Sequence, residues 1–296
     1  MNWRTVKSRL DDYERLMRLD WPIGTLLLFW PTMWAVWLSS DGKPDWFVAW
    51  VFMLGAVLMH SLGCVINDYA DRDFDPHVAR TRDRPLAARR IAPWEALGLA
   101  VVLGVAALLL VWQVMTPCLL RLTVVAAFLA LTYPFAKRFL PIPQAYLGVS
   151  FGLAIPMAYA AHRGYVPVEG WILLVGNMFW SIAYDTEYAM VDRPDDLRIG
   201  IRTSAITFGE YDVVAVMACY ALAFLLIAWG GARSGMGLPF LAGILAACGL
   251  ACHHYRLIRR REGPDCFRAF FGNNAIGAAI FAGIALDYLS RGVRPF

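Results

Sequence analysis

Nine apolar stretches separated by short polar connectors leave this chain one kind of place to fold. They lie near residues 22–39, 46–66, 93–115, 118–133, 144–161, 171–184, 213–229, 238–257 and 270–289. A membrane helix needs about 20 mostly apolar residues, so nine of them take up roughly 180 residues. The rest of the 296 is spread too thinly over tails and connectors to build a separate soluble domain. Composition agrees, with 59% hydrophobic and 17% charged residues, where a soluble domain carries about 25% charge. The 12 Trp and 24 Gly fit membrane helices and their interfaces. A disordered chain, a disulfide scaffold and a basic nucleic-acid binder are excluded. The six Cys fall mostly inside the apolar stretches and imply no disulfide framework.

The cations set the orientation. Five lie in the N-terminal tail, six after the second stretch, two after the fourth, three after the sixth and five between the eighth and ninth. That places 21 of 27 Lys and Arg on one side, with only Lys43, Arg121, Arg163, Arg233, Arg291 and Arg294 on the other. The positive-inside rule predicts a cytoplasmic N-terminus and, with nine spans, an outside C-terminus. The charged first 20 residues argue against a cleavable signal peptide. Trp3, Val6, Leu10, Tyr13 and Met17 recur at three- and four-residue steps, which predicts an amphipathic helix on the cytoplasmic membrane surface. The expected organisation is an interfacial helix over 1–21 and a single transmembrane domain over 22–296.

The acids are the most informative feature. Ten of the 23 Asp and Glu fall in two connectors, NDYADRDFDPHVARTRDRPL (67–86) and DTEYAMVDRPDDLRIGIRTS (185–204). Solvated charge at a membrane surface is the plain reading of such loops, and spacing and placement argue against it. Asn67, Asp71 and Asp75 are four residues apart, so a helix extending the second span would carry them as one stripe of oxygens. Asp192 and Asp196 repeat the interval after the sixth span. Like charges at that spacing repel, so the stripe is costly unless cations neutralise it. Each cluster begins where an apolar span ends. Hard oxygen ligands suit Mg²⁺, which commonly uses one or two carboxylates plus substrate phosphates. Arg72, Arg80, Arg82, Arg84, Arg198 and Arg202 stand among the acids with the chemistry to hold phosphate. The pattern points to a metal–diphosphate site for an amphiphilic substrate. A weak internal repeat agrees: Asp71 and Asp192 are separated by four spans, and each cluster is followed by an Arg-Thr pair, Arg80-Thr81 and Arg202-Thr203.

These connectors resemble those of the UbiA superfamily of intramembrane prenyltransferases. NDYADRDFD fits its N-D-x-x-D-x-x-x-D motif, Asp192 and Asp196 its D-x-x-x-D motif, and YPFAK (133–137) its Y-x-x-x-K element. RLMRLDWPIGTLLLFWPT, RTRDRPL, DTEYAMVDRPDDLRIGIRTSAITFG and CFRAFFGNNAIG are similar to the branch that prenylates 4-hydroxybenzoate in ubiquinone biosynthesis. Two departures stand out. Trp21 replaces a usual basic residue, and Pro194 replaces a usual acid and, lacking an N–H, is expected to break or restart the helix.

The resemblance implies an all-α membrane protein with nine transmembrane helices around a central cavity, in a bacterial inner membrane. It implies transfer of a polyprenyl group from polyprenyl diphosphate to 4-hydroxybenzoate, ortho to the hydroxyl. Mg²⁺ would be held by Asn67, Asp71, Asp75, Asp192 and Asp196, with Lys137 and Arg72 on the diphosphate. Arg138 would take the benzoate carboxylate and Tyr133 would shape the same wall. The allylic cation needs a dry, apolar and aromatic cavity.

Other polar residues have plainer readings. Asn177, inside the sixth span, is a candidate for the cavity lining or for helix packing. Cys248, Cys252, His253 and His254 invite a metal reading, but packing and a helix cap explain them more simply. His77 reads as a polar loop residue, Asp287 as interfacial, and Asn273 and Asn274 as helix–helix contacts. A divalent-cation transporter is the rival class. It needs ionisable groups near the midplane and an exit path, whereas the acids cluster on one face. Within the enzyme class the rival is another aromatic acceptor.

Overall fold

The structure is a computed structural model and describes residues 3–136 and 138–293. Among them the regular structure is helical throughout. In order the α-helices are α1 (Trp3–Leu16), α2 (Ile23–Ser39), α3 (Trp46–Asp71), α4 (Pro93–Trp112), α5 (Pro117–Ala136), α6 (Pro143–Gly152), α7 (Ala154–Arg163), α8 (Val168–Ile199), α9 (Ser204–Phe208), α10 (Asp212–Arg233), α11 (Leu238–Ile258) and α12 (Gly263–Ser290). Six helices are long and apolar enough to cross a membrane: α3, α4, α5, α9 running into α10, α11 and α12. The other expected spans fall on α2, the α6–α7 pair and α8. The first is 17 residues long and α6 and α7 are ten each. The 32 residues of α8 include the second acidic cluster.

The bundle closes on itself. α2 packs on α3, α6 on α8, α8 on α10, α10 on α11, and α12 packs on α11, α8 and α2. Trp34, Trp180, Tyr159, Tyr220 and Phe240 fill its interior. The outside is the reverse of a soluble protein: Val101, Val102 and Leu109 of α4 and Val124 and Phe128 of α5 are exposed. Surfaces of that kind are solvated by lipid, and because lipid is itself apolar, close packing of small residues holds such helices together. Gly243 of α11 and Gly283 of α12 show this. A Cβ built on Gly243 lies 2.7 Å from the Ala279 carbonyl and 2.9 Å from the Gly283 Cα. Gly243→Val is therefore expected to push α11 off α12 and lower the thermal midpoint in detergent by several degrees; an unchanged midpoint contradicts this packing.

Local chemistry shapes the segments around the acids. Asp45 caps α3, accepting from the Phe47 and Val48 amides at 2.7 and 3.2 Å. α3 stops at Asp71, and Asp75 begins a 3-10 turn, Asp75–His77. The expected three-residue stripe on one helix is thus corrected: Asn67 and Asp71 share α3, and Asp75 follows in the turn. Pro76 has no N–H for the Arg72 carbonyl, which ends the α ladder there. The single span expected over 144–161 divides at Leu153, because Pro156 cannot donate to the Gly152 carbonyl. Pro194 does the opposite of what was expected. α8 runs through it to Ile199, since only the bond to the Met190 carbonyl is lost and the ring is exposed. The helix ends instead at Gly200, whose φ of 73° is a left-handed cap.

α1 docks on the bundle. Leu16 is fully buried, with Tyr13 and Met17 beside it against Leu62, Val65, Ile91 and Ala96, while Leu10 is exposed. Arg9 pairs with Glu95, Asp12 with Arg90 at 2.7 Å, and Arg18 with Asp68 at 2.9 Å.

Candidate active site

Both acidic connectors open onto one cavity of about 240 Å³. Asn67, Asp71 and Asp75 reach it from the end of α3 and the turn beyond. Asp185, Tyr188, Asp192 and Asp196 reach it from α8. On an α-helix these α8 positions, three, four and four residues apart, fall on one face. Tyr133 and Pro134 of α5, Gln144 and Leu147 of α6, and Arg202 and Thr203 before α9 complete the wall with Phe74, Arg80 and Arg84.

The loop between α3 and α4 ties the two clusters together. The Arg80 guanidinium donates from Nε to Asp192 Oδ1 at 3.0 Å and from Nη2 to Oδ2 at 2.5 Å. Its Cζ stands 4.5 Å from the Tyr188 ring centre. Arg84 Nη1 bridges Asp75 Oδ2 at 2.9 Å and Asp68 Oδ1 at 3.0 Å. Arg18 donates to both oxygens of Asp68 at 2.9 and 3.0 Å. Burial pushes the Asp75 carboxyl up, against the opposing pull of Arg84. For Arg84, burial disfavours the charge, but Asp68 and Asp75 outweigh it and hold the guanidinium above its ordinary range. Thr81 Oγ1 donates to the Asp75 carbonyl at 2.9 Å, pinning the turn to the loop. On the far wall Gln144 Oε1 accepts from the Ser204 amide at 3.0 Å, and Thr203 caps α9.

Five predicted ligand positions, Asn67, Asp71, Asp75, Asp192 and Asp196, therefore line one cavity, and Tyr133 joins them. Three other predicted site residues do not line it. Arg72 donates to the Tyr69 carbonyl at 2.8 Å and stacks over the Tyr69 ring. Arg138 donates to the Ala70 carbonyl at 2.9 Å, with its Cζ 5.7 Å from the ring of Phe74, a wall residue. Asn177 is buried where α8 meets α6 and donates to the Gly148 carbonyl at 3.4 Å, so its role is helix packing. Lys137 lies outside the described residues. Asp185 and Tyr188 escaped the sequence reading, although both stand in helical register with Asp192. Gln144 carried no signal.

Two peripheral expectations also change. His254 does not cap a helix; it is buried between α8 and α12, against Glu187. Asp287 is buried as well, and accepts from the Gly237 amide at 2.6 Å, where α11 begins. Cys252 is exposed, and among the described residues no three His, Cys, Asp or Glu side chains converge tightly enough to hold a metal by themselves.

The carboxylates instead ring the cavity. That arrangement fits an ion such as Mg²⁺, which keeps waters, takes few carboxylates and completes its shell with substrate phosphate.

Residues 28–275 match the model of the UbiA prenyltransferase family. The chain belongs to that family. It is 59% identical over 285 residues to the 4-hydroxybenzoate octaprenyltransferase of Azoarcus sp. (strain BH72), covering 96% of this chain and 99% of the relative. Its fold is similar to that of a UbiA homolog from Aeropyrum pernix K1, with a TM-score of 0.78 at 23% identity over 89% of this chain and 97% of the other. It is also similar to a UbiA homolog from Archaeoglobus fulgidus bound to GPP and Mg²⁺, with a TM-score of 0.65 at 17% identity over 93% and 99%.

Proposed function

We propose that this UbiA-family chain transfers a polyprenyl group from polyprenyl diphosphate to 4-hydroxybenzoate, ortho to the hydroxyl, in ubiquinone biosynthesis. The observation that carries the reaction class is the meeting of both acidic clusters on one cavity lined on its other walls by Tyr133, Pro134 and Leu147. The acceptor follows from 59% identity to a 4-hydroxybenzoate octaprenyltransferase along nearly the whole chain.

The reaction breaks the allylic C–O bond, forms a C–C bond to the ring carbon, and releases diphosphate and the ring proton. Its barrier is charge separation, with negative charge gathering on the leaving oxygens and positive charge on the allyl group. Mg²⁺, when bound, neutralises the leaving diphosphate as a Lewis acid. Asn67, Asp71 and Asp75 on one side and Asp192 and Asp196 on the other would hold it. Arg80 and Arg84, already on the wall, supply directed donors for phosphate oxygens; Lys137 is a further candidate. Tyr133, on the cavity wall, is the aromatic side chain assigned to the allylic cation, because the Tyr188 ring is already covered by Arg80 and Phe270. Pro134, Pro143, Leu147 and Ile201 form the apolar part of the wall, assigned to keep water from the cation. Arg138, one ring behind the wall at Phe74, is the cation assigned to the benzoate carboxylate, a role that requires it to leave the Ala70 carbonyl. Arg138→Ala is expected to raise the KM for 4-hydroxybenzoate about tenfold or more, the loss of one charge-assisted contact, and an unchanged KM rules that role out.

The proposed setting is a bacterial inner membrane crossed nine times, with the N-terminus and both acidic clusters at the cytoplasmic face and α1 lying in the interface. The alternation of basic connectors supports this topology. The direct test of the reaction class is metal dependence. Membranes containing the protein should release diphosphate from a polyprenyl diphosphate with 4-hydroxybenzoate and Mg²⁺, and stop on chelation with EDTA. Turnover that persists in EDTA contradicts the site.

A further inference from the structure

Behind α8, on the side away from the cavity, a carboxylate is sealed inside the bundle. Glu187 is fully buried, and so are its neighbours Tyr220, His254 and Asn273, from α10, α11 and α12. Tyr220 OH lies 3.0 Å from Glu187 Oε1 and donates to it, and is also 2.9 Å from Asn273 Oδ1. His254 Nδ1 stands 3.2 Å from the same Glu187 oxygen. Asn273 Nδ2 donates to Glu187 Oε2 at 2.9 Å, and Trp180 Nε1, about two turns back on the same face of α8, donates to Asn273 Oδ1 at 2.8 Å. Gly272 makes room for the imidazole: a Cβ there would lie 2.4 Å from His254 Nε2.

A buried ionisable group costs several kcal/mol unless it is fully partnered, and in a membrane span it marks function more often than accident. Glu187 does not line the cavity, so it does not meet the substrate. Its position on α8 gives it another use. Asp192 and Asp196 lie roughly 140° and 180° around the helix from Glu187, at about 100° per residue. Asp192 stands about 7.5 Å further along the axis. Pinning Glu187 from three neighbouring helices therefore fixes both the rotation and the height at which the second acidic pair enters the cavity. Apolar packing alone holds a helix against rotation weakly, because neighbouring rotamers and small slips are nearly equivalent; a polar group with three directional partners admits one setting.

We propose that Glu187 is a positioning residue, and that its network with Tyr220, His254 and Asn273 sets the placement of Asp192 and Asp196 opposite Asp71 and Asp75. The inference deepens the proposed function and rests on it. It predicts different behaviour for two substitutions. In Glu187→Gln the amide oxygen accepts from Asn273, while the amide nitrogen donates to Tyr220 and to a neutral His254, so the network keeps its connections without the charge. In Glu187→Leu the volume stays similar and every connection is lost.

The experiment measures Mn²⁺ affinity by electron paramagnetic resonance on the full-length protein in detergent, with inorganic diphosphate present and no turnover. Glu187→Gln should bind within about twofold of the unsubstituted protein, and Glu187→Leu about five- to twentyfold more weakly, with folding checked by its thermal midpoint. A purely structural role lowers the folded fraction and leaves the affinity of the folded protein unchanged. Unchanged affinity in Glu187→Leu overturns the inference, and so does a Glu187→Gln defect equal to that of Glu187→Leu. If Glu187→Leu does not purify folded, Tyr220→Phe takes its place: a weakening of two- to fivefold supports the inference and unchanged affinity overturns it. Failure of the unsubstituted protein to bind Mn²⁺ at all overturns the proposed function together with the inference. Tight binding that is indifferent to position 187 overturns the inference alone.

Discussion

Asp192→Ala is expected to lower kcat by about 10²- to 10³-fold, the scale on which removal of one electrostatic stabiliser of a developing oxyanion acts. Asp192 is one of the α8 carboxylates on the cavity wall, and it is also the partner of Arg80. Its loss removes an oxygen pair proposed to hold the metal and releases a guanidinium that is stacked on Tyr188 and directed at this carboxylate. Asp192→Asn keeps the shape but neither the charge nor the second acceptor, and should be nearly as damaging. Asp195→Ala is the control. Asp195 is absent from the cavity wall and accepts from the Ala79 amide at 3.2 Å on the loop side of α8, so its loss should change kcat by less than about fivefold, the worth of one ordinary hydrogen bond. Steady-state kinetics on the three variants at saturating Mg²⁺ make the comparison. Equal effects at 192 and 195 would mean that the negative charge of the loop matters rather than the wall of the cavity.

The second large effect concerns stability. Arg84→Ala removes the cation between Asp75 and Asp68, whose side chains are 8% and 1% exposed. Breaking such a pair from one side leaves buried charge uncompensated, which costs roughly 3 kcal/mol; Arg18, still on Asp68, keeps the loss at the lower end of the range. The pH dependence has a definite sign. Burial already raises the Asp75 carboxyl and Arg84 opposes it, so without Arg84 the folded-state value rises further above that of the unfolded chain. Folding then favours the protonated acid, and the deficit shrinks as pH falls and grows as pH rises through the folded-state value. Thermal unfolding of Arg84→Ala in detergent should therefore show a larger loss of midpoint at pH 8 than at pH 5. Equal losses at both would mean that Arg84 acts by packing. Asp75→Asn placed in the same background should recover part of the midpoint at pH 8 by removing the charge that Arg84 had balanced.

Much of this architecture is legible in the residues. Apolar length alone marks the helical segments, and four-residue spacing marks Asn67 with Asp71 and Asp192 with Asp196, because α-helical geometry turns spacing directly into a shared face. What escapes the sequence is long-range. The loop of residues 72–92 contains six arginines, and only the fold shows that Arg80 and Arg84 cross to the acids while Arg72 turns back onto Tyr69. Prolines mislead in both directions. Pro76 and Pro156 interrupt helices that periodicity carries through, while Pro194 sits within a helix whose lost bond lies near its end. Glu187 illustrates the limit best. In the sequence it is one acid among five in a polar stretch, and nothing local says that it turns inward toward partners 33, 67 and 86 residues away.

The central claim is tested most directly by the identity of the product. Purified protein in detergent, given Mg²⁺, a long-chain polyprenyl diphosphate and an equimolar mixture of 4-hydroxybenzoate, homogentisate and 1,4-dihydroxy-2-naphthoate, is analysed by mass spectrometry. The predicted result is a single prenylated product, 4-hydroxybenzoate with the chain ortho to its hydroxyl, absent in Asp192→Ala. Prenylation of only a different acceptor, or of none while the diphosphate is hydrolysed, would contradict the account.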